Sequence, residues 1–429
     1  MRRPGLCFEQ LGTMPSERLA GAAAPEARQT ESLVMGFMNG RLAYMRYRVS
    51  GEAPLPFGPE HLERVEANAL GRRGPAETTD GVSFGWIAGE HVLDFDFDLA
   101  KNVVNDALYL AIRVDVDKIP ASLLRAYTRI ELDARARLNP SGRPTKAQRV
   151  EAKEAAVQRA EVEAADGRYR KQALYPVLWD GRSNVLYAGA TSSSVLERLM
   201  VLHRETFGRE LEPITAGTLA SASAATSGRA SIWERYAPSI FHDDNNFDLE
   251  TPSSGGSDIV WAESSPDARD VLGNEFLLWL WHATLHNGGV VPLADGSDVS
   301  VMLAKTLQLE CPRGVSGRDT LSNDGPARLP EALRALQAGK LPRKAGMIIA
   351  RQGAQYDLTL QAESLAVAGA SLPRDEERLE ESAARAGRVD ALRHLAETLD
   401  LLFDAFVTRR VGDQWPGDLG EIRAWLKAA

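Results

Sequence analysis

A long helix-forming stretch between two apolar strands constrains the fold of this chain more than any other feature. Residues 107–116 predict a strand, and Pro120 opens an amphipathic helix that ends at Asn139-Pro140-Ser141-Gly142. A second helix begins near Pro144 and ends at Asp166-Gly167. The apolar face of the first helix is formed by residues at helical spacing: Leu123, Tyr127, Ile130, Ala134 and Leu138.

The rest of the chain also mixes strand and helix patterns. Alternating or apolar runs predict further strands at 40–49, 82–87, 175–179, 185–188, 211–215, 299–309, 346–351 and 356–360. Asp180-Gly181 is a hairpin signal between two of them. Helical spacing predicts helices at 193–207, 271–286 and 374–410. Together these elements predict an α+β fold with mixed or antiparallel sheets and long helices.

Shifts in composition along the chain predict its organisation. We expect a disordered leader over 1–34, an N-terminal α+β region over 35–216 and a Ser/Gly/Asn-rich connector or insertion over 217–270. A C-terminal α+β region follows over 271–410 and ends in a leucine-rich helix. One face of that helix is predicted to be apolar and to form a core or an oligomer contact; it carries Leu392, Leu395, Leu399, Leu402, Phe403 and Phe406. Residues 411–429 form a tail.

The overall composition restricts the class of protein. Of the 429 residues, 44% are hydrophobic and 25% charged, which is typical of a globular chain. The apolar runs are too short for a membrane span, and two cysteines cannot form a disulfide framework or a thiolate metal site. We therefore expect a cytoplasmic protein without a membrane partner, a metal or a cofactor.

Positive charge is concentrated in one segment of a chain whose net charge is −9. Residues 125–171 contain 12 Lys/Arg and 7 Asp/Glu, a local charge of +5 that leaves −14 elsewhere. Lys146, Arg149 and Lys153 share an arc of roughly 60° on a helix, with Arg143 beside them. None of the three helical cations has a carboxylate three or four positions away, so a polyanion would relieve their repulsion. A solvated helix face explains the same pattern without a ligand.

A second basic group flanks the apolar strands of the C-terminal half. It consists of Arg313, Arg318, Lys340, Arg343 and Lys344. Gly339-Lys340 lacks the earlier glycine and the following Ser or Thr of a phosphate-binding loop. Without further information, this group is an ordinary helix end.

Three alternating aspartates offer an enzymatic alternative. Asp94, Asp96 and Asp98 alternate with Phe95 and Phe97, so a strand here would place three carboxylates on one face, where they could bind magnesium. A metal-dependent nuclease acting on recombination intermediates is therefore one alternative. A strand with one apolar and one acidic, solvated side explains the same pattern. A phage-linked protein-interaction module is a further alternative.

Several segments, in this order, resemble the recombination-associated protein RdgC family over most of residues 35–410. The first are Ser83-Phe84-Gly85-Trp86-Ile87 and the strand 108–114 followed by Ile119-Pro120. The paired segments 174–180 and 185–188 come next, then Leu336-Gln337-Ala338-Gly339-Lys340 and 356–360.

The resemblance implies a nucleoid-associated, non-enzymatic protein that binds double-stranded DNA with little sequence preference, with single-stranded DNA as a second form. It also implies a ring-shaped homodimer around the duplex and a modulating effect on RecA-dependent recombination. The basic helix of Lys146, Arg149 and Lys153 matches the family's Lys/Arg-rich segment, and Lys340 matches its Gly-Lys lysine. Arg313 and Arg318 match only loosely a basic segment before that lysine. The leader, the connector and the tail depart from the family pattern.

Overall fold

One antiparallel sheet of 13 strands organises the chain. The computed structural model describes residues 36–72, 81–226, 228, 237–241, 259, 267–312, 314, 316–373 and 380–428. The expected leader lies outside the described residues. The strands are β1 (Leu42–Val49), β2 (Val82–Ile87), β3 (Val103–Val104), β4 (Ala107–Asp117), β5 (Arg170–Asp180), β6 (Val185–Ala188), β7 (Leu211–Pro213), β8 (Val290–Pro292), β9 (Asp298–Glu310), β10 (Arg318–Asn323), β11 (Leu341–Arg351), β12 (Ala354–Gln361) and β13 (Val367–Ser371).

The main order of the sheet is β10-β9-β11-β12-β13-β1-β6-β5-β4-β2, with β3, β7 and β8 attached to β4, β1 and β9. The α+β class with an antiparallel sheet and several helices is thereby confirmed. The helices are α1 (Pro59–Ala67), α2 (Leu99–Asn102), α3 (Ala121–Arg137), α4 (Lys146–Ala164), α5 (Ser193–Phe207), α6 (Ala216–Thr226), α7 (Leu272–His286), α8 (Pro330–Gln337), α9 (Glu381–Arg410) and α10 (Trp415–Ala428).

Strand β1 joins the N-terminal and C-terminal parts of the sheet. Its first half pairs with β13, where Leu42 lies opposite Ala370. Its second half pairs with β6, where Met45 lies opposite Ala188. Because one strand carries both pairings, the sheet runs without a break through both predicted α+β regions.

The N-terminal part of the sheet is covered on both faces. In β4, Tyr109 packs with the cluster that contains α9, whereas Leu108 and Leu110 pack with the cluster that contains α1 and α5. A strand that is buried on both sides needs apolar residues at every position, not at alternate ones. This explains the continuous apolar run of β4.

Helices α7 and α9 form the core of the C-terminal part. Residues 272–283 of α7 are all buried. The predicted apolar face of α9 is buried as well, which makes it a core face; it consists of Leu392, Leu395, Leu399, Leu402, Phe403 and Phe406. Residues 374–379, where this helix was predicted to start, lie outside the described residues.

The start of the predicted connector is helical. Residues 217–226 belong to α6, in which Ala220 and Ala224 are buried and Ser223 donates a hydrogen bond to Asp404 of α9. Small side chains let two helices approach closely, so Ala and Ser serve packing here although their density resembles that of a loop.

No helix in the described parts of the chain combines the length and the apolar composition that crossing a membrane requires.

Candidate nucleic-acid interface

Helices α3 and α4 form an antiparallel hairpin that extends from the end of the β4–β5 strand pair. The last pair of those strands joins Asp117 and Arg170, and the chain between them is the hairpin. The two helices pack on each other and make only sparse contact with the other elements of the described chain. With 17 and 19 residues, they are roughly 25 and 28 Å long.

The contact between the two helices is narrow. Tyr127 of α3 packs against Ala156 and Ala160 of α4, with Leu123 and Leu124 at its side. Alanine is the smallest apolar side chain, so these positions allow the helix backbones to approach closely. The hairpin core is therefore small, and much of its surface faces solvent.

The predicted apolar face of α3 is only half correct. Tyr127 is buried, but Ile130 and Leu138 are 51% and 80% exposed, and Ala134 is also exposed. Helix α4 packs against the side of α3 that carries Leu124 and Glu131, about 90° around the helix from Ile130 and Ala134. Periodicity identified the helix but not the side on which its partner lies.

Hydrogen bonds lock the base of the hairpin. The Tyr127 hydroxyl donates to the Glu163 carboxylate at 2.6 Å, and the Tyr169 hydroxyl donates to it at 3.2 Å. The Arg159 guanidinium lies 4.3 Å from the centre of the Tyr127 ring. The bond from Tyr127 is the largest of the causes that lower the pKa of Glu163, so this carboxylate stays ionised and fixes the angle between the helices.

The turn of the hairpin is also well bonded. Thr145 caps α4: its hydroxyl accepts from the Gln148 amide at 3.3 Å, and the Gln148 side chain accepts from the Thr145 amide at 2.9 Å. The Asn139 side-chain amide donates to Gln148 Oε1 at 2.6 Å and to the Arg143 carbonyl at 2.8 Å. Helix α4 thus begins at Lys146, two residues after Pro144, and the turn holds a defined shape.

Cations near the hairpin turn have no acidic partner. Lys146, Arg149 and Lys153 lie on α4 as predicted and are exposed. Arg143 in the turn and Arg137 at the end of α3 are exposed as well. Among the described residues, no carboxylate lies within ion-pair distance of any of these five, which we call the tip cations. Their charge is available to an outside anion.

Most other cations of the hairpin are paired. The pairs and their N–O distances are Arg129–Asp133 at 3.1 Å, Arg135–Glu131 at 2.5 Å, Arg159–Glu163 at 3.8 Å, Arg168–Asp166 at 2.6 Å and Arg170–Asp117 at 2.9 Å. Glu151 and Glu154 of α4 lie about 170° and about 110° around the helix from the centre of the arc formed by Lys146, Arg149 and Lys153. Arg125 and Lys171 near the base are exposed and also have no ion pair in the described chain, so the tip cations are the largest unpaired group of the hairpin but not its whole unpaired charge.

The start of α4 adds to this positive potential. Its first turn contains no acidic residue and carries Lys146, although the helix dipole favours negative charge at that end. A phosphate group near the turn would interact favourably with both the dipole and the side chains.

Arg137 was not among the predicted site residues. It follows helical residues and precedes the break at 139–142, so only the reversal of the chain places it at the same end as Arg143. The sequence does contain a pattern that indicates Arg137: a helix, a short break with Pro and Gly, and a second helix predict a hairpin, which brings the residues on both sides of the break together.

The second basic group has a different environment. Lys340 Nζ lies 2.8 Å from Asp319, and its residue is 8% exposed. Arg318 and Arg343 both bind Glu310, at 3.0 and 3.1 Å.

Arg343 also lies 2.5 Å from Glu363, whose pKa is raised by burial. Lys344 is exposed and has no ion pair within the described chain, and Arg313 lies outside the described residues. The carboxylates partly neutralise this group, so it attracts a phosphate less than the tip cations do.

The three aspartates do not form a common site, and the strand proposed for them is absent, since 91–98 contains no strand. Asp94 is buried and binds Lys101 Nζ at 2.8 Å, while Asp98 caps α2 through the Ala100 amide. Because Asp98 caps a helix and Asp94 forms an ion pair, the two carboxylates have separate structural roles. In the parts of the chain that the structure describes, no group of three or more His, Cys, Asp or Glu side chains could hold a metal ion.

Comparison with known proteins adds no assignment. No protein-family model matches the chain, and no curated protein matches it.

Proposed function

We propose that this protein binds DNA through the phosphate backbone, without sequence preference, and that the tip cations make the contacts. The observation that carries the proposal is the contrast within one hairpin: five exposed cations in its distal half lack carboxylate partners in the described chain, whereas most cations toward the base are paired. Like charges so placed repel one another, and phosphates remove that repulsion while releasing counterions.

Lack of base specificity follows from the same side chains. The tip cations are long, exposed lysines and arginines without the neighbours that would fix them in the planar, bidentate geometry that reads a base edge. The remainder of the chain is acidic and repels DNA. This distribution favours binding in which the hairpin, and not the sheet, faces the duplex.

We also propose a homodimer of the RdgC type that surrounds duplex DNA, associates with the nucleoid and limits RecA by occupying DNA. Val150 and Val157 of α4 are more than 40% exposed but lie within about 40° of Lys146 around the helix, on the face that carries the tip cations. They offer no separate surface for a partner, so the homodimer is proposed from the family resemblance alone. The proposed activity is binding, without a catalytic step, and needs no metal or cofactor.

Binding of the full chain to unrelated duplexes, titrated across salt, tests the proposal. We expect similar affinities for unrelated duplexes of mixed sequence, a linear fall of log K with log salt, and a mass of two chains by light scattering in the same buffer. Magnesium is included in one arm, where intact DNA is expected. Absence of affinity at low salt would refute DNA binding and favour a protein-interaction module, whereas cleavage would favour the nuclease.

A further inference from the structure

The hairpin turn presents an apolar side chain among the tip cations. Leu138 follows the last residue of α3 and is 80% exposed, the highest value among the exposed large hydrophobic side chains of the described chain. Large apolar side chains are favoured in contact with other apolar surface. Leu138 lies next in sequence to Arg137 and two residues before Pro140.

The turn holds Leu138 outward. Asn139, the next residue, is tied to the Arg143 carbonyl and to the Gln148 side chain, and its own carbonyl accepts from the Gly142 amide at 2.9 Å. Gly142 has a φ of 62°, which favours glycine and closes the turn. The leucine therefore projects from an ordered turn, so that little conformational freedom is lost when it binds.

The positive charges around Leu138 indicate which kind of partner its side chain would contact. Arg137 and Arg143 flank Leu138 on the two sides of the turn, and Lys146 and Arg149 follow on α4, all without carboxylate partners in the described chain. An apolar protein surface would leave these cations without anions. The minor groove of DNA offers phosphates on both sides and apolar stacked bases between them.

We propose that Leu138, backed by Pro140, inserts as a wedge between adjacent base pairs from the minor groove while the tip cations bind the flanking phosphates. The inference rests on the proposed DNA binding and adds the mode of contact. Insertion of an apolar residue unstacks a base step and bends the duplex. Because pyrimidine–purine steps such as TA unstack most easily, the wedge predicts a preference for deformable DNA without any reading of base edges.

The test compares Leu138→Ala with Val162→Ala in the full chain. Val162 is a matched control because it lies in the same hairpin, is 78% exposed and is near the opposite end of α4. The probes are duplexes with 2-aminopurine beside a central TA step or within an A-tract. Both substitutions remove exposed atoms, so we expect both variants to fold, which circular dichroism checks.

We expect the wild type and Val162→Ala to raise 2-aminopurine fluorescence at the TA step and to bend the duplex, which energy transfer between its ends measures. Both proteins should bind this duplex about tenfold more tightly than the A-tract. Leu138→Ala should lose the fluorescence rise, the bend and the preference, but keep the salt slope.

Five outcomes overturn the wedge, and they separate it from the proposed function. Salt-dependent binding without unstacking, or with unstacking that Leu138→Ala retains, refutes the wedge and leaves DNA binding intact. Equal losses in both variants show a general effect of the hairpin surface. A changed mass in Leu138→Ala assigns the leucine to a protein contact. No binding by the wild type refutes both proposals.

Discussion

Neutralising Lys146, Arg149 and Lys153 together to glutamine gives the sharpest quantitative test of DNA binding. Each phosphate contact to duplex DNA contributes about 0.9 to the slope of log K against log salt. Loss of three contacts should therefore flatten the slope by about 2.7 for each hairpin that touches DNA. A dimer that uses both hairpins would show about 5.4.

The affinity itself should change with salt in a defined way. Between about 50 and about 200 mM salt, a slope difference of 2.7 corresponds to about 40-fold. The ratio of the variant's Kd to that of the wild type should thus shrink about 40-fold over this range. Fluorescence anisotropy with one labelled duplex at five or more salt concentrations measures both slopes.

Three paired cations provide the control. The triple variant Arg129→Gln, Arg168→Gln and Arg170→Gln lowers the formal charge by the same amount on the same hairpin, but each of these side chains already binds an aspartate. Its slope should stay close to that of the wild type. Equal flattening in the two triple variants would refute the reasoning, because net charge and not unpaired charge would then govern binding. Neither variant removes a buried group, so melting temperatures should change little.

Three further predictions concern stability and are measured by urea unfolding. Asp400→Ala should cost about 2 kcal/mol, because it leaves the buried Arg46 guanidinium, now 2.7 Å from that carboxylate, without a counter-ion, while solvent at the 41% exposed Asp400 reduces the cost below that of a fully buried pair; an unchanged midpoint would contradict this. Gly273→Ala should destabilise by about 2 kcal/mol or more, since its Cβ would lie 1.8 Å from the Ala362 carbonyl oxygen, and wild-type stability would show that α7 can shift. Burial lowers the pKa of His203 to about 4. The unfolded chain therefore binds this proton at higher pH than the folded chain does, and stability should fall by about 2 kcal/mol from pH 7 to pH 5; His203→Phe should lose this part of the pH dependence.

Much of the fold could be predicted because burial leaves a period in the sequence. The run of β4, the apolar face of α9 and the strands β5 and β6 around Asp180-Gly181 were all identified from such patterns, and the register confirms that Asp180 pairs with Val185 across that turn. The strand β1 was predicted as well, but not its role. Only the pairing partners, which lie far away in sequence, show that it joins both parts of the sheet.

The failures arise where one pattern has two physical causes. The Ala and Ser residues of α6 indicate a loop by composition, yet they allow α6 to pack closely on α9. The alternation of Asp94, Asp96 and Asp98 with phenylalanines indicates a strand, yet Asp98 caps a helix and Asp94 binds Lys101. Local sequence cannot separate these causes because the partner in each case is elsewhere in the chain.

The charge pattern illustrates the same point for the candidate site. Residues 125–171 contain 12 cations, of which Lys146, Arg149 and Lys153 on α4 were predicted to bind DNA because they lack carboxylates at helical spacing. That criterion identified Lys146, Arg149 and Lys153, which are unpaired. It could not judge Lys340, whose partner Asp319 lies on β10, 21 residues away in sequence.

The sparse contact between the hairpin and the sheet makes the proposed function experimentally separable from folding. The hairpin's own core is small, so its geometry depends on the Tyr127–Glu163 hydrogen bond at the base and on the Asn139–Gln148 bond at the turn. Substitutions of the tip cations touch neither bond. Their effects on DNA can therefore be interpreted as effects on binding, whereas substitution of Tyr127 would change the angle between the helices and, with it, the relative placement of Arg137 and Lys146.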